Sequence, residues 1–263
     1  MGKSIRLDKF LVEMDRGSRS QIKEAAKKGR IQVNGQVEKK TERKIDPDTD
    51  QVLFDGMPVA YRALEYYMLN KPQGVVSATE DNLHKTVIDL LTGEKRNDLF
   101  PVGRLDIDTE GLLLLTNDGD LAHRLLAPKK HVDKQYYAKV SGSLPDNSVE
   151  IMAEGMTLSD GTEVKPAILE IGGCTELLRA KTGTSEPQEN AGDLEQTIPC
   201  TEVLLTIHEG KFHQVKRMFE ALDCRVEYLK RLSMGSLQLD ETLAPGEYRS
   251  LTEEEITRLQ QHK

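Results

Sequence analysis

The stretch Phe100–Asp120, FPVGRLDIDTEGLLLLTNDGD, decides how the rest of the chain is read. Its apolar run Leu112–Leu115 is too short for a core helix and has the length of a buried strand. Asn117-Asp118-Gly119 closes that run with residues that tolerate the positive φ of a turn, and Asp118 or Asp120 can cap a helix expected over Leu121–Leu126. Gly103-Arg104-Leu105-Asp106 and a second acidic-glycine turn come before the run, so Asp106 lies in a loop. Taken alone, Asp106 and Asp108 read as carboxylates of a solvated turn.

Outward from this stretch, short strands alternate with few helices. Tyr66-Tyr67-Met68-Leu69 reads as a strand, ended by the turn Asn70-Lys71-Pro72-Gln73-Gly74, and Thr86–Leu91 as a short helix. Lys134–Val140 has the aromatic and β-branched character of a strand, on which Tyr136 and Tyr137 point to opposite faces. Val203–Ile207 is a further strand, followed by a Gly210-Lys211 turn and a helix over His213–Leu222. Val226–Leu229 and Ser236–Leu239 are later strands, and Leu251–Gln260 is a helix with Thr252 as cap and Glu255 at its third position. Glu170–Pro199 carries Gly172-Gly173 and a polar stretch without apolar period, and is expected to be an insertion on a surface loop, over about residues 172–199. The pattern predicts an α+β fold with a largely antiparallel sheet rather than a doubly wound one.

Upstream, helical spacing starts at Leu7, and Ser18 with Gln21 forms a capping box for a second helix that stops at Gly29. Ile31-Gln32-Val33, the turn Asn34-Gly35 and Gln36-Val37 make a hairpin, and Gln51–Phe54 is another short strand. Asp55–Leu64, with Gly56 and Pro58, lacks periodicity, so the boundary is placed near residue 60: a small domain over 1–60 and a larger one over 61–263.

The chain has 263 residues, 37% hydrophobic and 30% charged, which suits a soluble globular protein of two domains. No long apolar span or signal peptide is visible, and Cys174, Cys200 and Cys224 lack metal-ligand spacing, so a cytoplasmic protein with reduced thiols and no metal is expected. The net charge of −8 conceals a split: residues 1–44 hold 13 Lys and Arg against six Asp and Glu, a net of +7, which leaves −15 on the remainder. A basic module on an acidic body fits local attraction to nucleic acid.

Three more stretches join GRLD in order: Asn70-Lys71-Pro72-Gln73-Gly74, Lys134-Gln135-Tyr136-Tyr137 and Glu209-Gly210-Lys211-Phe212-His213-Gln214-Val215-Lys216-Arg217-Met218. Together they resemble the motifs of pseudouridine synthases, and most closely the S4-domain branch that modifies ribosomal RNA, in particular its small-subunit (16S) enzymes. The basic helix and small strands at the N-terminus resemble the S4 RNA-binding fold. That resemblance implies that Arg6, Arg19, Lys23, Lys27, Lys28 and Arg30 contact RNA, with 16S rRNA in a small-subunit assembly intermediate as partner and the protein acting as a monomer.

Turning uridine into pseudouridine breaks the N-glycosidic bond, rotates the uracil and joins its C5 to the ribose. Nothing is oxidised, so no cofactor is expected, in keeping with the absence of a P-loop or dinucleotide-binding glycine pattern. The resemblance makes Asp106 the catalytic carboxylate, acting as nucleophile or by removing a ribose proton. Lys216 matches the family's basic partner of that aspartate, with Arg217 as the adjacent competitor, and Tyr136 matches its active-site tyrosine. Arg104 corresponds to the arginine associated with extruding the target base, against the plainer role of pairing with Asp108. Lys71 and Arg231 are counted with the substrate-binding residues, Lys71 as a phosphate contact or structural support, Arg231 as support beneath the pocket. Two other readings stay open: a synthase acting on large-subunit (23S) rRNA, and a noncatalytic S4 protein serving ribosome assembly. The second predicts decay of the motifs, which are intact. The first is disfavoured by the absence of a basic extension after Glu253-Glu254-Glu255.

Overall fold

Leu112–Leu115 forms the middle of the strand Glu110–Thr116, and all four leucines are completely buried. Successive strand residues point to opposite faces. Leu113 and Leu115 therefore enter one core and Leu112 and Leu114 another, which is why the run is apolar without alternation. Each buried leucine stabilises by about 1.5–3 kcal/mol relative to exposure. The computed structural model describes residues 4–93, 95–127, 130–179 and 196–261.

This strand lies inside a nine-stranded sheet whose path runs Ile168–Arg179, Gln196–Ile207, Lys134–Ser141, Arg225–Met234, Glu110–Thr116, Tyr66–Lys71, Tyr248–Ser250. Phe100–Pro101 adds to Glu110–Thr116 and Leu237–Gln238 to Arg225–Met234. All neighbours are antiparallel except Arg225–Met234 with Glu110–Thr116, which run parallel with Arg231 opposite Gly111. Gly111 has φ 100°, and a Cβ there would collide with the Arg231 carbonyl and amide, so glycine is required where the two strands meet.

One face of the sheet is covered by the helices Ser148–Glu154 and Gln214–Glu220, which contribute Met152, Val215, Met218 and Phe219. The other is covered by Gly119–Leu126 and Glu253–Gln261 through Leu121, Leu125 and Leu259. The expected caps are formed. Asp118 accepts from the Leu121 amide at 2.9 Å, and Thr252 and Glu255 exchange backbone–side-chain bonds at 2.8 and 3.2 Å.

The N-terminal region has its own core of Leu7, Phe10, Leu11, Ile22, Ile31 and Ile45. Its helices are Leu7–Glu13 and Arg19–Lys27, the latter opened by the reciprocal Ser18–Gln21 capping box. Asn34 and Gly35, at φ 51° and 76°, make the tight turn of its hairpin within a four-stranded sheet. Arg96 ties this region to the rest: its guanidinium bonds Asp98 and the Arg62 carbonyl and pairs with Glu13 at 3.0 Å, while the Asn97 amide donates to the Glu13 carbonyl.

Two expectations are corrected. Thr86–Leu91 is not a helix; Thr86 bridges Val76, and its amide and hydroxyl both bond the Asp89 carboxylate, a local arrangement that competes with helix formation. Nor is 170–199 a loop throughout, because Ile168–Arg179 and Gln196–Ile207 form a long hairpin paired as far as Arg179 and Gln196. Its outer part is held by backbone pairing with most side chains outside the core, so it leaves no apolar period to read. A register shift between Ile171 and Cys174 absorbs Gly172-Gly173. Residues 180–195, with most of the polar stretch, lie outside the described residues. No described helix is long and apolar enough to cross a membrane.

Candidate active site

Asp106 lies in the loop 102–109, on the sheet face that carries Val215, Met218 and Phe219. The loop is fastened from behind. Lys71, completely buried at the end of its strand, donates to the carbonyls of Pro72, Asp106 and Thr109 at 3.0, 3.0 and 2.9 Å and reaches that of Ile107 at 3.4 Å. The Ser77 hydroxyl donates to the Leu105 carbonyl and accepts from its amide, and the Gly74 amide donates to the Ile107 carbonyl at 2.8 Å. The turn after Lys71 thus fixes the backbone on which the Asp106 carboxylate is mounted.

Burial pulls the Lys71 ammonium down to about 8, against the raising charges of Asp108, Asp106 and Glu110. This corrects its assignment to substrate: the ammonium faces carbonyls, not the cleft. Arg231, counted with the substrate-binding residues as support beneath the pocket, does not line the cleft. It is 2% exposed, donates Nε to the Leu112 carbonyl at 2.7 Å and supports the junction with Gly111 from within the sheet.

The cleft in front of Asp106 is lined by Arg104, Leu105, Thr109, Tyr136, Ile207, Leu229 and, from the turn and helix opposite, Gly210, Lys211, His213, Gln214, Val215 and Lys216. Tyr136 comes from the strand Lys134–Ser141, where buried and half-buried residues alternate. Tyr136 faces the core while Tyr137 turns away to bond Glu202 at 2.7 Å. A register shift between Gln135 and Tyr136 against Arg225–Met234 re-aims the strand at this point.

The opposite wall is the turn into Gln214–Glu220. Gln214, 3% exposed, closes it by accepting from the Lys211 amide and donating to Glu209. His213, at φ 48°, is the residue before the helix, and Lys216 follows three residues on, so both face the cleft. Lys216 Nζ lies 3.4 Å from Asp106 Oδ2 but makes its short bonds, 2.6 and 2.8 Å, to Asp108. His213 Nε2 is 3.5 Å from Asp106 Oδ1.

Asp108 is therefore not the idle turn carboxylate that the sequence suggests. Burial would raise it, but the hydrogen bond and charge of Lys216, with a smaller contribution from His213, hold it below the ordinary carboxylate value. Arg217, the competitor for Lys216, instead pairs with Asp160. Arg104 is exposed on the cleft rim, and Asp108 is taken by Lys216 rather than by it. The structure so brings together Asp106, Tyr136, Lys216 and Arg104, and adds His213 and Asp108. The helical spacing of His213 and Lys216 was the available signal for the first of these; Asp108 had none.

The basic residues of the N-terminal region form a separate surface. Arg6, Arg19 and Lys23 border one hollow with Lys9, Asp8 and Ser20. Lys27 and Lys28 are exposed further along, Lys28 pairing with Glu24, and Arg30 pairs with Asp55 while lying over the Phe54 ring at 5.2 Å.

The RNA pseudouridylate synthase family model matches residues 65–221 and the S4 domain model residues 5–51. An uncharacterised RNA pseudouridine synthase of Bacillus subtilis is 48% identical over 253 residues, covering 96% of this chain and 97% of its own. The ribosomal small subunit pseudouridine synthase A of Escherichia coli is 39% identical over 96% of this chain and 98% of its own, and that of Yersinia pestis 40% over 96% and 97%. A crystallographically solved pseudouridylate synthase, 35% identical, superposes with a TM-score of 0.60 over 97% of this chain and 99% of its own.

Proposed function

The chain belongs to the RNA pseudouridine synthases, as a member with an S4 domain ahead of the synthase region, and we propose that it isomerises one uridine of small-subunit (16S) ribosomal RNA with Asp106 as the catalytic carboxylate. The observation that carries the reading is the placement of Asp106 in one cleft between the Tyr136 ring and the Lys216 and His213 side chains. The junction of the two regions is taken near residue 60, and the enzyme is taken to act in the cytoplasm as a monomer.

The target uridine leaves its stack to enter the cleft, and Arg104 on the rim is placed to occupy the gap. Asp106 acts on the ribose, as nucleophile at C1′ or as base at C2′, while the N1–C1′ bond breaks and its electron pair goes to the uracil. Lys216, 3.4 Å from the carboxylate, is the cation placed beside it on either route. The uracil turns and C5 bonds to C1′ as the Asp106–C1′ ester bond breaks on the first route, or as C2′ regains its proton from Asp106 on the second, and the C5 proton leaves while N1 regains one. The Tyr136 hydroxyl is the proton-handling group on that side of the cleft.

The test is a pseudouridine map of rRNA from cells with the wild-type gene, without it, and with Asp106→Asn. The reading requires one small-subunit site lost in both altered strains. Loss of a large-subunit site instead would reassign the substrate, and an active Asp106→Asn enzyme would reassign the carboxylate.

A further inference from the structure

Phe212 stands outside everything described so far. Within the turn that carries His213 and Lys216 it leaves 75% of its surface in water, the largest exposure of any aromatic ring named here, although a phenylalanine seldom has reason to avoid a core. Its ring is nevertheless held in place. One face stacks on the His213 imidazole, with centroids 3.8 Å apart and planes inclined by 18°. Its carbonyl accepts from Arg217 at 3.3 Å, and the flanking residues are fixed by the Lys211–Gln214 bond and by the left-handed backbone at His213. The second face of the ring is the exposed one.

The order of groups is Asp106, then the His213 ring with Nε2 3.5 Å from the carboxylate, then the Phe212 ring, then solvent. A planar group on the free face of Phe212 is thus two rings away from the reacting carboxylate, outside the cleft that takes the target uracil. Lys211 precedes it in the chain and, with Arg104, lines the neighbouring cleft. A pre-stacked, solvent-facing ring beside cations suits a nucleobase with its phosphates, because every base has a π-face and stacking requires no particular base edge.

We propose that Phe212, backed by His213, is a stacking platform for the base of the nucleotide adjacent to the target uridine, holding the strand while the uridine is turned out. This deepens the proposed function and rests on it for the identity of the target. The platform selects an unstacked neighbour rather than a particular base, and so favours targets in loops or opened helices.

The experiment is a cycle of substitutions on both sides of the contact. Equilibrium binding is measured with an Asp106→Asn background, so that the RNA is unchanged during the assay. The ligand is a stem–loop RNA containing the mapped uridine, or, if no site is mapped, a mixed-sequence single-stranded RNA with one uridine. Partner RNAs lack the base at the 5′ or 3′ neighbour. Phe212→Ala should weaken binding of the intact RNA roughly five- to 150-fold, the factor corresponding to one base–aromatic stack, and Phe212→Trp should restore it. With one of the two abasic RNAs, Phe212→Ala should cause little further loss. Independent, multiplying losses with both abasic RNAs would overturn the platform, as would binding unchanged by Phe212→Ala. In the otherwise wild-type enzyme, a lower single-turnover rate at saturation with no change in affinity would overturn it too, leaving Phe212 as a support for His213. A wild-type enzyme that isomerises no rRNA would instead defeat the proposed function, and the binding cycle would still judge the platform.

Discussion

Lys216→Met is the substitution for which the geometry makes the sharpest statement, because one ammonium serves two carboxylates. Its Nζ lies 3.4 Å from Asp106 and 2.6 Å from Asp108, so the nearest oxygens of the two acids are separated by at most the sum, about 6 Å. At 3.4 Å a unit charge pair interacts by about 5 kcal/mol at an effective dielectric of 20 and about 1 kcal/mol at that of water. Removing the cation should therefore lower the single-turnover rate, by at least about fivefold, the factor for ~1 kcal/mol. The repulsion left between the acids, at no more than about 6 Å, is at least ~0.7 kcal/mol even at the dielectric of water.

Adding Asp108→Asn to Lys216→Met should recover part of that loss, since it removes the like charge beside Asp106. Asp108→Asn alone should not lower the rate, since it releases Lys216 from its two short bonds toward Asp106. The assay is single-turnover pseudouridine formation at saturating RNA, with binding measured in parallel. A rate that stays unchanged in Lys216→Met, accompanied by a flatter salt dependence of RNA affinity, would refute the reasoning and make Lys216 a phosphate contact.

Lys71→Met should slow catalysis by releasing the four carbonyls that its ammonium gathers, and it offers a test in stability as well. The folded ammonium titrates near 8 and the unfolded one near 10.5, so the unfolded chain binds more protons between those values and wild-type stability should rise with pH across that window, by up to ~3 kcal/mol. Urea midpoints at pH 7.5 to 10 would show the rise in wild type and a smaller one in Lys71→Met, and equal rises would refute the burial argument. Arg19→Glu with Lys23→Glu should reduce the slope of log affinity against log salt by about 1.4–1.8 while sparing the rate at saturating RNA, as measured by binding at several salt concentrations. Arg96→Ala should cost about 3 kcal/mol in denaturant unfolding and raise KM more than it lowers kcat, because Glu13 and Asp98 lose their shared partner and the RNA-binding region loses its fixed placement; an unchanged KM would separate that region's orientation from substrate capture.

Most of the fold could be read from local signals. The leucine run, the Ser18–Gln21 box, the Asn34-Gly35 turn and the alternation around Tyr136 each act over a few residues, and each forms as expected. The outer hairpin was illegible for the opposite reason: backbone pairing of two strands far from the core imposes no side-chain period. In the site, Asp106 and Tyr136 were legible through motifs, whereas the division of Lys216 between Asp106 and Asp108 was not. Nothing in the order of residues says which of two carboxylates a flexible ammonium will approach, since that is set by the turn closed by Gln214 and the loop anchored by Lys71. Lys71 was counted with the substrate contacts because a cation beside an active-site motif invites a phosphate, and only burial shows that its ammonium is spent on backbone carbonyls, while Arg231, read as support beneath the pocket, bonds the Leu112 carbonyl.

The same distinction bears on how an acidic body handles RNA. Residues 45–263 carry a net −15, and several cations of the cleft region are already engaged: Lys216 with two aspartates, Arg217 with Asp160, Lys211 with Glu209 and the Glu163 carbonyl. Little positive charge is left there to neutralise phosphates, and neutralisation supplies most non-specific affinity. The N-terminal face also carries paired cations, Lys28 with Glu24 and Arg30 with Asp55, but its net charge of +7 over residues 1–44 makes it the place where attraction to phosphates is concentrated, with Arg104 and Lys211 as exposed cations lining the cleft. A strand held only at the cleft would leave quickly, whereas one held at the N-terminal face is presented repeatedly to the cleft at high effective concentration. The link through Arg96 gives that presentation a direction, because it fixes the Leu7–Glu13 helix against the segment that leads into Phe100–Pro101 and the Asp106 loop. On the proposed function, selectivity for one uridine is divided, the N-terminal face binding the RNA and the cleft taking a base that has left its stack.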